Sequence, residues 1–269
     1  MTMRSHAMRM FRTKKRLLLL LVPAAGLAML LSLAARAEAP KDSLWFKAVK
    51  LQEQSRDLVP GTVESFMQEV DKHGKPKNED KYRHSWGKLS LNDDGDVEYE
   101  SVKAIEDGED ITEKERAEER ERQEKRDEED SNSFTSEGYT PFREEAQDRI
   151  SIERLDETEP VDGRELIAYK FVEHPEDDDA EVRGTVWFDR AAGVPVRMEY
   201  TTDPLPKRVK RMITTMEYAY SAPATLVVKK MTMDATGGIL FIKKHFHVEM
   251  TFDDYWRLPE GYEESHREN

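Results

Sequence analysis

Gly238-Ile239-Leu240-Phe241-Ile242-Lys243-Lys244-His245-Phe246-His247-Val248-Glu249-Met250-Thr251-Phe252-Asp253 alternates apolar and polar side chains over most of its length. In an extended chain successive side chains leave on opposite faces. Leu240, Ile242, Phe246, Val248, Met250 and Phe252 therefore share one face, interrupted only by Lys244. Lys243, His245, His247, Glu249 and Thr251 share the other. The same two-faced pattern recurs upstream. Val194, Val196, Met198 and Tyr200 oppose Arg197, Glu199 and Thr201, while Met212, Met216, Tyr218 and Tyr220 alternate with Glu217. A sheet with one apolar face, rich in methionine and aromatic residues, follows.

Outward from that stretch the chain reads as strands divided by short breaks. Strands are expected over 149–155, 165–173, 181–189, 195–202, 208–220, 225–234 and 238–253, with a turn at Thr236-Gly237. Earlier strands are expected over 63–70, 82–91 and 97–105, the last two joined by Asn92-Asp93-Asp94-Gly95-Asp96, whose residues tolerate positive φ. Strands joined so tightly pair antiparallel, because a parallel return needs a long crossover. A helix is expected over 41–56, where Asp42 or Ser43 can cap and Leu44, Ala48 and Leu51 form a stripe beside Trp45 and Val49.

One modest helix is little cover for so much apolar sheet. A sheet of about ten strands twists and curls. Two arrangements satisfy it: a sandwich or closed barrel, or a sheet curled around the helix with an apolar hollow for a ligand. Unbranched, polarizable methionines suit the hollow, because they adapt to ligands of variable shape.

Residues 107–133 differ in kind. From Glu113 to Asp130 only Ala117 is apolar, and opposite charges recur at helical spacing, as in Glu113 with Arg116 and Glu118 with Arg122. This is a charged inserted arm, helical or disordered, within a single domain over 38–269.

The N-terminus reads as a cleaved leader over 1–37. Six basic residues precede the apolar run 17–35, and Ala35-Arg36-Ala37 offers a small-x-small site, with cleavage between Ala37 and Glu38. Export to the periplasm is the expectation. The chain has 42 Lys and Arg, seven of them in the leader, against 56 Asp and Glu, so a product cut after Ala37 carries a formal charge of −21. That field repels nucleic acid and anionic lipid surfaces, and no nucleic-acid partner is expected. Lys207-Arg208-Lys210-Arg211 is a local exception, read as a solvated strand edge.

No reactive centre emerges. There is no cysteine, hence no disulfide, thiolate cluster or thiol nucleophile. His245, His247 and Glu249 share a face at a spacing that suits a metal, but no further ligand is identifiable, so no metal and no cofactor are expected. Asn92–Asp96 lacks the spacing of a calcium loop, and Glu176-Asp177-Asp178-Asp179 reads as a solvated loop. Gly-x-Ser-x-Gly and glycine-rich phosphate loops are absent. No catalytic residue is nominated, and an enzyme is not expected.

Gly184-Thr185-Val186-Trp187-Phe188-Asp189-Arg190-Ala191-Ala192-Gly193-Val194-Pro195-Val196-Arg197 resembles the aromatic-aspartate, glycine turn and following strand of the LolA/LolB-like lipoprotein-sorting superfamily. Val161-Asp162-Gly163-Arg164-Glu165-Leu166 and Thr140-Pro141-Phe142 are similar to its other turns. The resemblance implies a mainly β fold with a few helices, a strongly curved antiparallel half-barrel around the N-terminal helix. It also implies a cavity for acyl chains and, as partner, a lipid or acylated lipoprotein. Val196, Met198, Tyr200, Met212, Met216, Tyr218, Phe246, Val248 and Met250 are the expected lining. The other reading is a non-enzymatic envelope scaffold that meets a protein partner through residues 107–133. The arm and the acidic surface depart from the carrier pattern.

Overall fold

Alternation of the kind seen at 238–253 produces strands that bury one face. A computed structural model describes residues 42–262 except 94, 129–138, 156–162, 175–179, 222–224 and 240–241. The leader with its cleavage site, the end of the arm at 129–133, the Val161-Asp162 turn and the Glu176–Asp179 run lie outside the described residues. Among the described residues no helix is long and apolar enough to cross a membrane.

The elements in chain order are α1 (Ser43–Gln54), β1 (Leu58–Val59), β2 (Thr62–Val70), β3 (Tyr82–Leu91), β4 (Val97–Glu106), β5 (Glu109–Asp110) and α2 (Thr112–Glu128). After a 3-10 helix (Glu144–Arg149) come β6 (Ile150–Arg154), β7 (Leu166–Glu173), β8 (Glu181–Asp189), β9 (Val194–Asp203), β10 (Val209–Ser221), β11 (Thr225–Ile239), β12 (Ile242–Asp253) and β13 (Trp256–Arg257). Strands β1 and β13 form a two-stranded sheet of their own.

The other eleven strands make one antiparallel sheet in the order β5-β4-β3-β2-β12-β11-β10-β9-β8-β7-β6. Two meanders are joined where β2 pairs with β12, Val248 opposite Met67. The outermost strands β5 and β6 do not pair with each other, so the sheet is not closed into a barrel. The connection from β5 to β6 must pass from one edge to the other.

One expectation is revised. The β11–β12 turn does not fall at Thr236-Gly237: both residues sit inside β11, with Gly237 opposite Lys244 and Gly238 opposite Lys243. These glycines serve a close approach, since a Cβ on Gly237 would come within 3.1 Å of the Arg208 carbonyl oxygen. The arm is helical over Thr112–Glu128, one of its two expected forms, and its start is docked on the sheet. β5 pairs with the end of β4, and beyond it α2 lies against β4, where Arg116 Nε donates to Ser101 O at 2.8 Å and Ala104 N donates to Thr112 Oγ1 at 3.0 Å. These contacts occupy polar groups of a strand that would otherwise end the sheet. A 3-10 helix, Glu144–Arg149, leads into β6.

The core lies between α1, the 139–150 segment and the face of β6–β11 turned toward them, which we term the inner face. Trp45 is fully buried, its ring 5.1 Å from Phe142, 6.2 Å from Tyr169 and 6.4 Å from Phe188. Asp42 caps α1, its carboxylate accepting from Leu44 N at 3.0 Å. At the helix end Ser55 Oγ accepts from Leu226 N at 2.7 Å, tying α1 to β11.

Candidate ligand-binding face

The inner face has two unlike halves. Over β6–β10 and the start of β11 it is filled. Trp45, Ala48, Val49 and Leu51 of α1 pack on Tyr169, Phe171, Val186, Phe188, Met198 and Met216. The second cover is the segment after Gly138. Tyr139 stacks on Phe171 at 6.1 Å and lies 4.9 Å from Tyr200, while Phe142 and Ala146 are buried. Tyr139, Phe142, Ala146 and Ile150 supply the missing cover from a turn, the 3-10 helix and the first residue of β6, so no single periodicity announces them.

Polar ties fix this segment. Trp45 Nε1 donates to Gln147 Oε1 at 2.9 Å, and Gln147 Nε2 donates back to Pro141 O and Arg143 O. Arg143 Nη2 donates to Glu173 Oε1 at 3.1 Å, and the Glu173 side chain is wholly buried. Burial, and then the Glu173 carboxylate, push Tyr139 far above the usual phenol range. Burial also pushes Tyr218 well above that range and raises Tyr200. Tyr169 is pushed up to about 12, first by burial and then by the neighbouring Asp42 carboxylate.

Across the seam onto β11, β12 and β2 the face stays apolar but is not filled. Register aligns Met233, Val248 and Met67 in one row, and Met212, Ala235 and Phe246 in the next. Met250 completes the patch beside Met231. Phe246, Val248, Met250, Met233 and Met212 are half-buried, and Met67 is 39% exposed. None belongs to the buried cluster under α1. The strip ends at β3, where Arg83 lies opposite Met67 and pairs with Glu115 of α2.

The nine residues expected to line a cavity are thus divided. Met198 and Met216 face each other and are sealed in the filled half, with Tyr218 Oη donating to Met198 Sδ at 3.8 Å. Tyr200 and Tyr218 pack against that core. Val196 is the bulged residue between the pairs Trp187–Arg197 and Phe188–Pro195. Phe246, Val248, Met250 and Met212 lie on the strip, and Met67 and Met233 join them from outside the expected set.

The outer face carries the histidines. His245 Nδ1 lies 2.8 Å from Thr236 Oγ1, His247 Nδ1 lies 2.9 Å from Asp234 Oδ1, and Glu249 pairs with Lys230 at 2.8 Å. Each is engaged by a cross-strand neighbour. Among the described residues no group of three potential ligands could hold a metal ion.

No family model matches the sequence, and no curated protein matches it. Among solved structures the chain is similar to MucB in a crystal structure with MucA(peri), and to the Pseudomonas aeruginosa MucA/MucB complex. In both cases identity is 9%, the TM-score is 0.20, and the match covers 80% of this chain and 98% of the other. A superposition at that TM-score carries no weight for partner or ligand.

Proposed function

We propose that this chain is an exported, non-enzymatic binding protein whose ligand is a lipid or the acyl chains of a lipoprotein, held on the uncovered half of the inner face. The reading takes residues 38–269 as one domain with a LolA/LolB-like curved sheet, working in the periplasm. One observation carries it: a continuous apolar strip of Met67, Met212, Met233, Phe246, Val248 and Met250 that neither α1 nor the 139–150 segment covers.

A contiguous, partly open apolar patch beside a filled core suits an apolar partner. An acyl chain gains about 0.8 kcal/mol per buried methylene, so affinity needs no charged contact. Four methionines in six positions let the surface conform to chains of different length.

The test is to isolate the protein from the envelope of the cells that make it and weigh it intact in a native mass spectrometer. Extra mass that organic solvent removes, and that identifies as lipid, supports the reading. Lipid-free protein that also ignores a fluorescent fatty acid would abandon it.

A further inference from the structure

Lys207, Arg208, Lys210, Arg211 and Lys243 gather at one end of the sheet. All five are exposed, and none has an ion pair or side-chain hydrogen bond among the described residues. The β9–β10 connection and the start of β12 meet here across the end of β11, where Gly238 N donates to Arg208 O at 3.2 Å and Gly238 lies opposite Lys243. Gly237 and Gly238 place bare backbone between the two sets of cations. Among the described residues the nearby carboxylates are taken, Glu69 by Lys77 and Lys244 and Asp203 by Arg183. The adjoining β2–β3 turn adds Lys72 and Lys75 but also Glu79 and Asp80, and so is balanced.

Guarding an edge does not explain the cluster. β10 is paired with β9 and β11, and β12 with β11 and β2, so no open strand edge lies there. The acidic balance of the whole chain does not cancel it either, because screening confines each charge to about 8 Å at physiological salt. Five neighbouring cations repel one another, and an opposing negative surface relieves that repulsion.

We propose that this end of the sheet docks on the surface of an anionic lipid bilayer. The cations do not converge on one point: Arg211 and Lys243 share the outer face with Thr236 and His245, Lys210 is the bulged residue beside them, and Lys207 and Arg208 lie in the β9–β10 connection. That spread fits a plane of headgroups better than a single phosphate in a pocket. Continuity supplies the second argument. On β12 the inner face runs from Lys244, whose Nζ is 5.8 Å from the centre of the Phe246 ring, straight into Phe246, Val248 and Met250. A protein standing on this end presents the start of the strip to the bilayer. For the purpose of the docking, the proposal rests on the acyl-binding reading.

Lysine acylation footprinting of the full chain tests it, with vesicles of phosphatidylcholine alone and vesicles in which one third is phosphatidylglycerol. Lys207, Lys210 and Lys243 should be protected by the anionic vesicles only. A Lys207→Glu/Lys210→Glu/Lys243→Glu variant should partition onto those vesicles at least about a hundredfold less, at roughly fivefold per cation. Wild-type and variant chains share the basic N-terminal stretch, so its contribution is common to both. Protection confined to other lysines, equal protection by neutral vesicles or by duplex DNA, or unchanged partitioning of the variant overturns the proposal. Fatty-acid binding measured without vesicles separates the outcomes: a chain that takes the fatty acid but ignores anionic vesicles loses the docking alone. A chain that docks through these lysines but takes no acyl chain loses the acyl-binding reading alone.

Discussion

The two halves of the inner face are built from the same kinds of residue and end in opposite states. Met198 and Met216 oppose each other on β9 and β10 and are fully buried, whereas Val248 and Met67 oppose each other on β12 and β2 and remain partly open. Composition and alternation do not distinguish them. What does is the path of the chain outside the sheet: α1 and the segment carrying Tyr139, Phe142 and Ala146 come to rest over β7–β11. A strand's apolar face becomes core only where another segment arrives to cover it, and where none does the same side chains are a surface available to a partner.

Removing the central anchor of the filled half should cost most. Trp45→Ala takes away a ring in contact with four aromatic neighbours and should destabilise the fold by about 3–5 kcal/mol. A loss of unfolding free energy, from denaturant titration, of less than a third of that would mean that α1 is not the clamp described. Arg143→Ala comes next. It leaves the buried Glu173 carboxylate without its cation, a change that costs 3–5 kcal/mol in fully buried pairs and about 2 kcal/mol here because Arg143 is half-exposed. If the pair carries the effect, Arg143→Ala made in a Glu173→Gln background should cost much less; the same cost there would assign the effect to the arginine stem.

On the open half the order of effects reverses. Val248→Glu should lower stability by no more than about 1 kcal/mol, since the site already meets water, yet it should reduce fatty-acid binding at least tenfold. Large destabilisation would move Val248 into the core and erase the distinction between the halves.

Last comes a loss of stability at alkaline pH to which the tyrosines of the filled half contribute. Tyr139, Tyr169, Tyr200 and Tyr218 all hold their protons more tightly when folded than when unfolded. A raised folded pKa contributes stability that is complete below the unfolded value, about 10, and is lost as pH rises through the folded value. For Tyr169, with its folded value near 12, the loss falls between about pH 10 and 12. Chemical denaturation at stepped alkaline pH should show this decline, and Tyr169→Phe should flatten it. A variant that declines as steeply as the wild type would remove Tyr169 from the account.

Much of this architecture was legible because side-chain alternation is a local signal. The face assignment of 242–253, the hairpin at 92–96 and the helix around Trp45 all follow from neighbours in sequence. The pairing of β2 with β12 was not legible, since residues nearly two hundred positions apart leave no local trace of their contact. Gly237 and Gly238 look like a turn, but the absence of a side chain serves a second purpose, close passage beside Arg208. The candidate site was half legible for the same reason. Alternation picks out Met198 and Val248 alike, and only the resting place of residues 139–150 tells which one is sealed.

Photo-crosslinking with a diazirine-bearing palmitate, followed by peptide mapping, addresses the division of the inner face directly. Adducts on peptides from 62–70 and 242–253, at Met67, Phe246, Val248 or Met250, are the predicted result. Labelling concentrated on α1 or β7, with the strip untouched, would contradict it.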